Sequence, residues 1–396
     1  MAKTATRNIS LLIVAQALGM TCQSLVIVIA ALVGYSLADD KSLATLPVAL
    51  QLTATMLTTF PASLLMRRVG RRAGFTVGVL IGATGGLAAA YAVYRGDFVL
   101  FSLAATIIGA QAAFVQFYRF AAAETASEAF RPKAISLVLA GGIAAALAGP
   151  ELAKWGRDLL TPHLFVGCYL LVTALSLVAA MILQGLDIPK LSAVQRATSG
   201  RPLGRIAAQP AFVVAALSGA VGYGVMTLVM TATPLAMTAC GFAFDDAAFV
   251  IQWHALAMFG PSFFTGSLIQ RFGVLNVILA GIALIASAVT VTLSGIAFGQ
   301  FWGGLVLLGL GWNFMYIGGS TLLTTTCRPE EQAKTQALND CLIFSTAAAG
   351  SFSSGALHSS FGWAAVNLGV IAPLGIAFLA VAWMRLQRRS TAAVAG

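Results

Sequence analysis

The feature that most constrains this chain is a series of apolar runs, each close to the roughly 20 residues that a helix needs to cross a bilayer. We count twelve such runs, bounded by charged or turn residues. Their approximate spans are 9–37, 43–66, 73–94, 98–123, 134–153, 164–186, 210–237, 247–269, 274–298, 300–326, 335–357 and 364–384. Hydrophobic residues make up 59% of the chain and charged residues 9%, whereas soluble domains carry about a quarter charged residues. The sequence therefore predicts an all-α polytopic membrane protein.

The basic residues indicate how the runs are oriented. With the N-terminus inside, 18 of the 23 Lys and Arg residues fall on cytoplasmic segments, four fall outside, and Arg119 lies within the fourth run. Because positively charged loops stay on the cytoplasmic side, both termini are expected to be cytoplasmic. The net charge of +10 then reflects topology, and no basic patch with aromatic platforms predicts a nucleic-acid partner.

A repeat divides the chain into two similar parts. The segment Phe60–Gly70 aligns with Phe263–Gly273 at an offset of 203, with four identities in eleven positions. The longest polar interruption, 187–209, separates six runs from six. We therefore predict an N-terminal six-helix half, 1–186, a cytoplasmic linker, 187–209, and a C-terminal six-helix half, 210–396. An even number of helices in each half gives a parallel repeat about an axis along the membrane normal.

The loop after the second run carries a motif that resembles the major facilitator superfamily. It reads Ser63-Leu-Leu-Met-Arg67-Arg68-Val-Gly70-Arg71-Arg72, and a copy, Gly266-Ser-Leu-Ile-Gln-Arg271-Phe-Gly273, follows the eighth run. The resemblance covers essentially the whole chain and implies a secondary transporter that works by alternating access. It assigns gating roles to Ser63, Arg67, Arg68, Gly70, Arg71, Gly266, Arg271 and Gly273. A shortened copy of a second signature, at Gly149-Pro150, resembles a motif that is associated with antiporters.

Polar residues inside the apolar runs are the candidates for solute binding, because they are costly in a bilayer. Helical spacing places Gln111 and Tyr118 on one face of the fourth run, and Asn313, Tyr316 and Ser320 on one face of the tenth. In the fold that the resemblance implies, the first and fourth helices of each half line a central cavity. The candidate solute-binding residues are then Gln16, Gln23, Gln111, Tyr118, Tyr223, Thr227, Trp312, Asn313, Tyr316 and Ser320. This set fits a small amphipathic or aromatic organic solute; the alternative is that the amides only join helices.

Four ionisable residues in or near the runs are candidates for proton coupling: Asp340, Glu151, His254 and Arg119. Asp340 either carries a proton, pairs with Arg67 as an inner gate with exchanged charges, or stabilises the start of its helix. Arg119 either extends toward the interface or contacts an anion or the gate. Glu151 and His254 either exchange protons or are, respectively, solvated and hydrogen-bonded.

Other classes of function find little support in the residues. The five cysteines are scattered, and no Cys/His spacing predicts a metal site. No phosphate-binding loop or nucleophile motif is present, so we predict neither an enzyme nor a cofactor. We predict a monomeric inner-membrane transporter that exports a small solute in exchange for protons. The alternatives are proton-coupled or facilitative uptake, and a membrane receptor or scaffold that transports nothing.

Overall fold

The structure, a computed structural model, describes residues 2–40, 43, 46–188 and 200–394. All regular structure in these described residues is helical. The first eight helices are α1 (Ala2–Leu37), α2 (Leu46–Val69), α3 (Arg71–Arg95), α4 (Phe98–Val115), α5 (Tyr118–Thr125), α6 (Arg131–Ala140), α7 (Gly142–Arg157) and α8 (Val166–Leu183). The others are α9 (Leu203–Ala207), α10 (Pro210–Ala239), α11 (Phe244–Phe259), α12 (Ser262–Phe272), α13 (Val274–Leu293), α14 (Phe298–Leu323), α15 (Gln332–Leu368) and α16 (Ile371–Val394). Short 3₁₀ turns at Glu128–Phe130 and Pro329–Glu331 precede α6 and α15.

Ten stretches of helix in the described part of the chain are long and apolar enough to cross a membrane. An eleventh is a bent pair, Asp246–Phe259 and Ser262–Phe272, whose parts meet at 41°. The bend falls at Gly260-Pro261, where proline cannot complete the helical hydrogen bonds. The remaining predicted run, 335–357, is helical as part of α15. Its polar residues make it less apolar than the helices counted above as able to cross a membrane.

The chain forms two compact units. Unit 1 comprises the described residues of Met1–Ser127, Val138–Ser199 and Gln336–Cys341, and unit 2 comprises those of Glu128–Leu137, Gly200–Thr335 and Leu342–Gly396. The predicted linker 187–209 is described at 187–188 and 200–209, where it includes α9, and its residues 189–199 lie outside the described part.

In each unit, the helix of the predicted fourth or tenth span, which we call the central helix, packs against several neighbours. In unit 1, α4 packs on α2 and α3, while α1 packs on α7 and α8. In unit 2, α14 packs on α10, α11 and α13. Small residues allow this close approach, as expected where lipid removes most of the hydrophobic drive for helix association. The central helices therefore place their polar side chains against two or three neighbours at once.

Tight connections between helices follow local sequence signals. Gly96 ends α3 with a φ of 69°, and the Asp97 side chain then caps α4 by accepting a hydrogen bond from the Leu100 amide at 2.9 Å. Gly70 and Gly273, the motif glycines between α2 and α3 and between α12 and α13, have φ values of 92° and 84°. A residue with a Cβ atom would be strained at either turn. The motif glycines are thus explained by backbone geometry.

Candidate functional site

Unit 1 contains a relay of three glutamine side chains. Gln51 Nε2 of α2 donates to Gln23 Oε1 of α1 at 2.8 Å, and Gln23 Nε2 donates to Gln111 Oε1 of α4 at 3.0 Å. Gln51 and Gln111 are buried, and Gln23 is half-buried. The structure thus brings two predicted site residues together and adds Gln51. The predicted residue Gln16, also on α1, is buried, and its Oε1 accepts no hydrogen bond within the described residues.

Helices α2 and α4 cross at a glycine in unit 1, and α11 and α14 cross at a glycine in unit 2. A Cβ atom on Gly109 of α4 would overlap the backbone carbonyl of Gln51, and Thr55 Oγ1 donates to the Gly109 carbonyl at 2.8 Å. In unit 2, a Cβ on Gly309 of α14 would lie 2.7 Å from the carbonyl oxygen of His254 on α11. Gln51 and His254 are related by the repeat offset of 203, and each lies beside a glycine of the central helix, although the two glycines are 200 residues apart.

Asn313 of α14 holds the bend between α11 and α12. Its Nδ2 donates to the Met258 carbonyl at 2.6 Å and to Ser262 Oγ at 2.7 Å, while its Oδ1 accepts from Thr265 Oγ1 at 2.6 Å. The residue is fully buried. Its three bonds satisfy groups on both sides of Gly260-Pro261, so its described contacts are structural.

An aromatic cluster surrounds Trp312 in unit 2. Trp312 stacks on Tyr316 with ring centroids 4.8 Å apart and planes at 19°, and Tyr223 of α10 meets both rings edge to face at 5.5 and 5.6 Å. Phe259 and Phe344 complete the cluster, each with one ring contact at 5.6 Å. We call these five residues the aromatic cluster. Sequence analysis predicted Tyr223, Trp312 and Tyr316 as site residues and missed both phenylalanines.

The other predicted binding residues lie inside their units. Tyr118 is fully buried, with its ring edge-on to Phe75 of α3 at 4.6 Å. Thr227 Oγ1 donates to the Tyr223 carbonyl of its own helix at 2.8 Å. Ser320 is buried, and its Oγ has no hydrogen-bond partner among the residues that the structure describes. The Tyr118 hydroxyl is also buried without a hydrogen-bond partner among the described residues, and its role in solute binding stays a prediction.

A buried ion pair joins Arg119 of α5 to Asp340 of α15 in unit 1. Arg119 Nη2 donates to Asp340 Oδ1 at 2.5 Å, and both side chains are at most 1% exposed. Arg119 Nη1 donates to the Gln116 carbonyl at 2.9 Å, and Asn339 Nδ2 donates to Asp340 Oδ1 at 2.9 Å. Two proton-coupling candidates are thus partners. Arg67 is half-buried, and its latch with Asp340 stays a prediction.

The gating motif residues have distinct environments. Arg71 forms a bidentate pair with Glu124 and donates to Gln336 Oε1 at 2.7 Å. Ser63 is fully buried, and a Cβ on Gly266 would lie 2.6 Å from the Lys133 Cα in unit 2. Arg68 and Arg271 are exposed. The Arg71 pair is the motif contact that the structure resolves most fully, although Glu124 was not predicted.

Unit 2 has an ionic cluster at the start of α15. Arg201 donates to both carboxylate oxygens of Glu331, at 2.8 and 2.6 Å, and to the Thr326 carbonyl at 3.0 Å. The hydrogen bonds from Arg201 lower the pKa of Glu331 from 4.5 to about 2. Arg201 belongs to the predicted linker 187–209, so this cluster attaches the described C-terminal part of the linker to the loop before α15.

Glu151 and His254 differ sharply in exposure. Glu151 is exposed and accepts a hydrogen bond from Lys154 at 2.7 Å. His254 is fully buried and bonds the Leu305 carbonyl through Nδ1 at 2.7 Å. Proton exchange through either residue stays a prediction. Within the described residues, no group of three or more His, Cys, Asp or Glu side chains could hold a metal ion.

Comparison with known proteins identifies the family. The sequence pattern of the Major Facilitator Superfamily matches residues 215–395. The riboflavin transporter RfnT of Brucella anthropi is 41% identical over 396 residues, covering all of this chain and 99% of that protein. The chain belongs to the major facilitator superfamily. It is a multi-pass membrane transporter and not an enzyme, as predicted from the sequence.

Other similar proteins agree on this assignment. The uncharacterized MFS-type transporter YddS of Bacillus subtilis is 28% identical, covering 97% of this chain and 92% of that protein. The crystal structure of the E. coli fucose:proton symporter FucP superposes with a TM-score of 0.75 at 17% identity, covering 96% of this chain and 99% of that one. The human organic anion transporter MFSD10 gives a TM-score of 0.77 at 13% identity, with coverages of 95% and 99%. At these identities the solved structures establish the fold alone.

Proposed function

We propose that this superfamily transporter moves riboflavin, or a flavin of the same ring system, across the bacterial inner membrane. The observation that carries the proposal is the end-to-end 41% identity with a riboflavin transporter. The sequence-based prediction of a small amphipathic or aromatic solute agrees with a flavin, whose planar ring is joined to a polyhydroxyl chain.

Each unit separately offers groups that suit such a solute. In unit 2, the aromatic cluster presents flat rings, and aromatic surfaces bind planar ligands through offset or edge-on contacts. In unit 1, the glutamine relay supplies both donors and acceptors for ring carbonyls and hydroxyl groups. Neither set carries a formal charge, which fits a neutral solute better than a phosphate ester.

Flux through purified protein in liposomes tests the proposal. Riboflavin fluoresces, so release from preloaded vesicles can be followed directly, with protein-free vesicles as the control. We expect saturable, protein-dependent release. Binding without flux would indicate a receptor, and neither binding nor flux would exclude flavins as the solute.

The same vesicles test the predicted direction and coupling. If the protein exchanges external protons for internal flavin, an acid exterior accelerates release, and a protonophore abolishes that acceleration. Release that is indifferent to the pH gradient would contradict proton coupling while leaving flavin transport intact. Accumulation from outside against a gradient would favour uptake over export.

A further inference from the structure

The ring of His254 has a fixed pattern of donor and acceptor atoms. Its Nδ1 lies 2.7 Å from the Leu305 carbonyl oxygen, which can only accept a hydrogen bond. Nδ1 therefore carries the hydrogen, and Nε2 of the neutral ring presents a lone pair. His254 is fully buried, and nothing in the described chain donates to Nε2. A buried acceptor left unpaired is unfavourable, so the site is suited to an external donor.

The equivalent position in unit 1 shows what is missing. Gln51 occupies the same helix crossing, and its side chain bonds Gln23 of α1. The repeat offset of 203 places Met226 where Gln23 stands in unit 1, and a thioether has no hydrogen to donate. Unit 2 therefore keeps a polar residue at the crossing but lacks the counterpart of its unit 1 partner.

A second unpaired group lies along the same helix pair. Trp312 Nε1 is buried and has no acceptor among the described residues. Trp312 sits on α14, and its ring contacts Phe259 of α11, five residues after His254, at 5.6 Å. One acceptor and one donor without partners thus flank the α11–α14 contact beside the aromatic cluster.

We propose that His254 Nε2 accepts a hydrogen bond from the ring N–H of the transported flavin and so determines specificity. Oxidised isoalloxazine has one ring N–H, at N3, flanked by two carbonyls, and Trp312 Nε1 is a complementary donor for an oxygen of the same solute. The inference rests on the proposed function and deepens it. It assigns His254 a role in solute recognition rather than in proton transfer.

A cycle of variants and ligands tests the assignment. Binding of riboflavin and of 3-methylriboflavin, which lacks the N3 hydrogen, is measured for the wild type, His254→Leu and His254→Gln. We expect the wild type to favour riboflavin about tenfold, the order expected when a buried acceptor loses its donor. His254→Leu removes that preference by weakening riboflavin alone. His254→Gln, which restores the residue type of unit 1, recovers part of it.

Trp253→Leu is the matched control, because Trp253 adjoins His254 on α11 but is 41% exposed. It should leave the preference for riboflavin unchanged. If His254→Leu weakens the binding of both ligands equally, or keeps the preference for riboflavin over 3-methylriboflavin, the assignment is overturned. Loss of the pH response of transport with an intact preference would overturn it in favour of proton transfer. Failure of the wild type to bind riboflavin at all would instead contradict the proposed function. If His254→Leu does not fold, the wild-type and His254→Gln preferences decide.

Discussion

Units 1 and 2 place different chemistry at equivalent positions of their central helices. Gln111 of unit 1 is the end of a side-chain relay, whereas Asn313, its counterpart at an offset of 202, bonds both sides of a helix bend. Eight residues further on, Arg119 forms a buried ion pair, whereas its counterpart Thr321 has an Oγ1 without a partner among the described residues. Duplication has kept the positions and changed their roles. A polar residue in a membrane helix is thus not a binding residue by virtue of its place alone.

The largest expected effect comes from breaking the ion pair of unit 1. Asp340→Asn leaves the Arg119 cation buried without its counter-ion, which costs about 3–5 kcal/mol of folding free energy. Thermal unfolding of the purified protein measures the loss. Removing both charges, with Arg119→Met and Asp340→Leu together, should recover most of it.

Two controls sharpen this test. Thr321→Ala, at the position in unit 2 that corresponds to Arg119, should change stability by less than about 0.5 kcal/mol. Arg67→Met tests the predicted latch. If it lowers the folding stability as much as Asp340→Asn does, and combining the two substitutions lowers it no further, Arg67 is the functional partner of Asp340 instead.

An intermediate effect is expected from the two amides. Asn313→Ala removes three buried hydrogen bonds, and at about 0.6 kcal/mol each within membranes the loss is roughly 2 kcal/mol. Gln111→Ala removes one described bond and should cost about 0.6 kcal/mol, while weakening riboflavin binding. Unfolding midpoints and riboflavin titrations of the two variants decide between these roles. Equal destabilisation by both would contradict the distinction drawn between the units.

The smallest effect is a pH dependence confined to unit 2. Because the pKa of Glu331 is about 2 when folded and 4.5 ordinarily, its stabilisation is complete above pH 4.5 and is lost as the pH falls toward 2. Unfolding midpoints measured from pH 6 to 3 should therefore fall more steeply for the wild type than for Glu331→Gln. Parallel curves would show that the Arg201–Glu331 pair is not formed in solution.

Much of the fold was predictable because bilayer thickness and backbone chemistry act on local sequence. Apolar length located the helices, and the motif glycines Gly70 and Gly273 marked turns that require a positive φ. The Gly260-Pro261 pair could also have revealed the bend in the eighth predicted span. These signals are local, so one chain suffices to detect them.

The partners of the polar side chains were not predictable in the same way. The pairing of Arg119 with Asp340 was not predicted, because side-chain reach depends on helix packing that spacing does not encode. Gln51 was overlooked as a site residue since a lone glutamine in an apolar run gives no sign of its neighbours. Asn313 and Gln111 had the same sequence signature and proved to have different contacts.

The glycines at the two helix crossings also limit which substitutions the protein can tolerate. At Gly109 and Gly309 even a methyl group would meet backbone rather than a movable side chain. Each of the other nineteen residue types would therefore clash at these two positions. A map of tolerated mutations across the chain should therefore show Gly109 and Gly309 among its least tolerant positions. Each of the two positions stays closed to other residues for as long as the helices that cross there keep their contact.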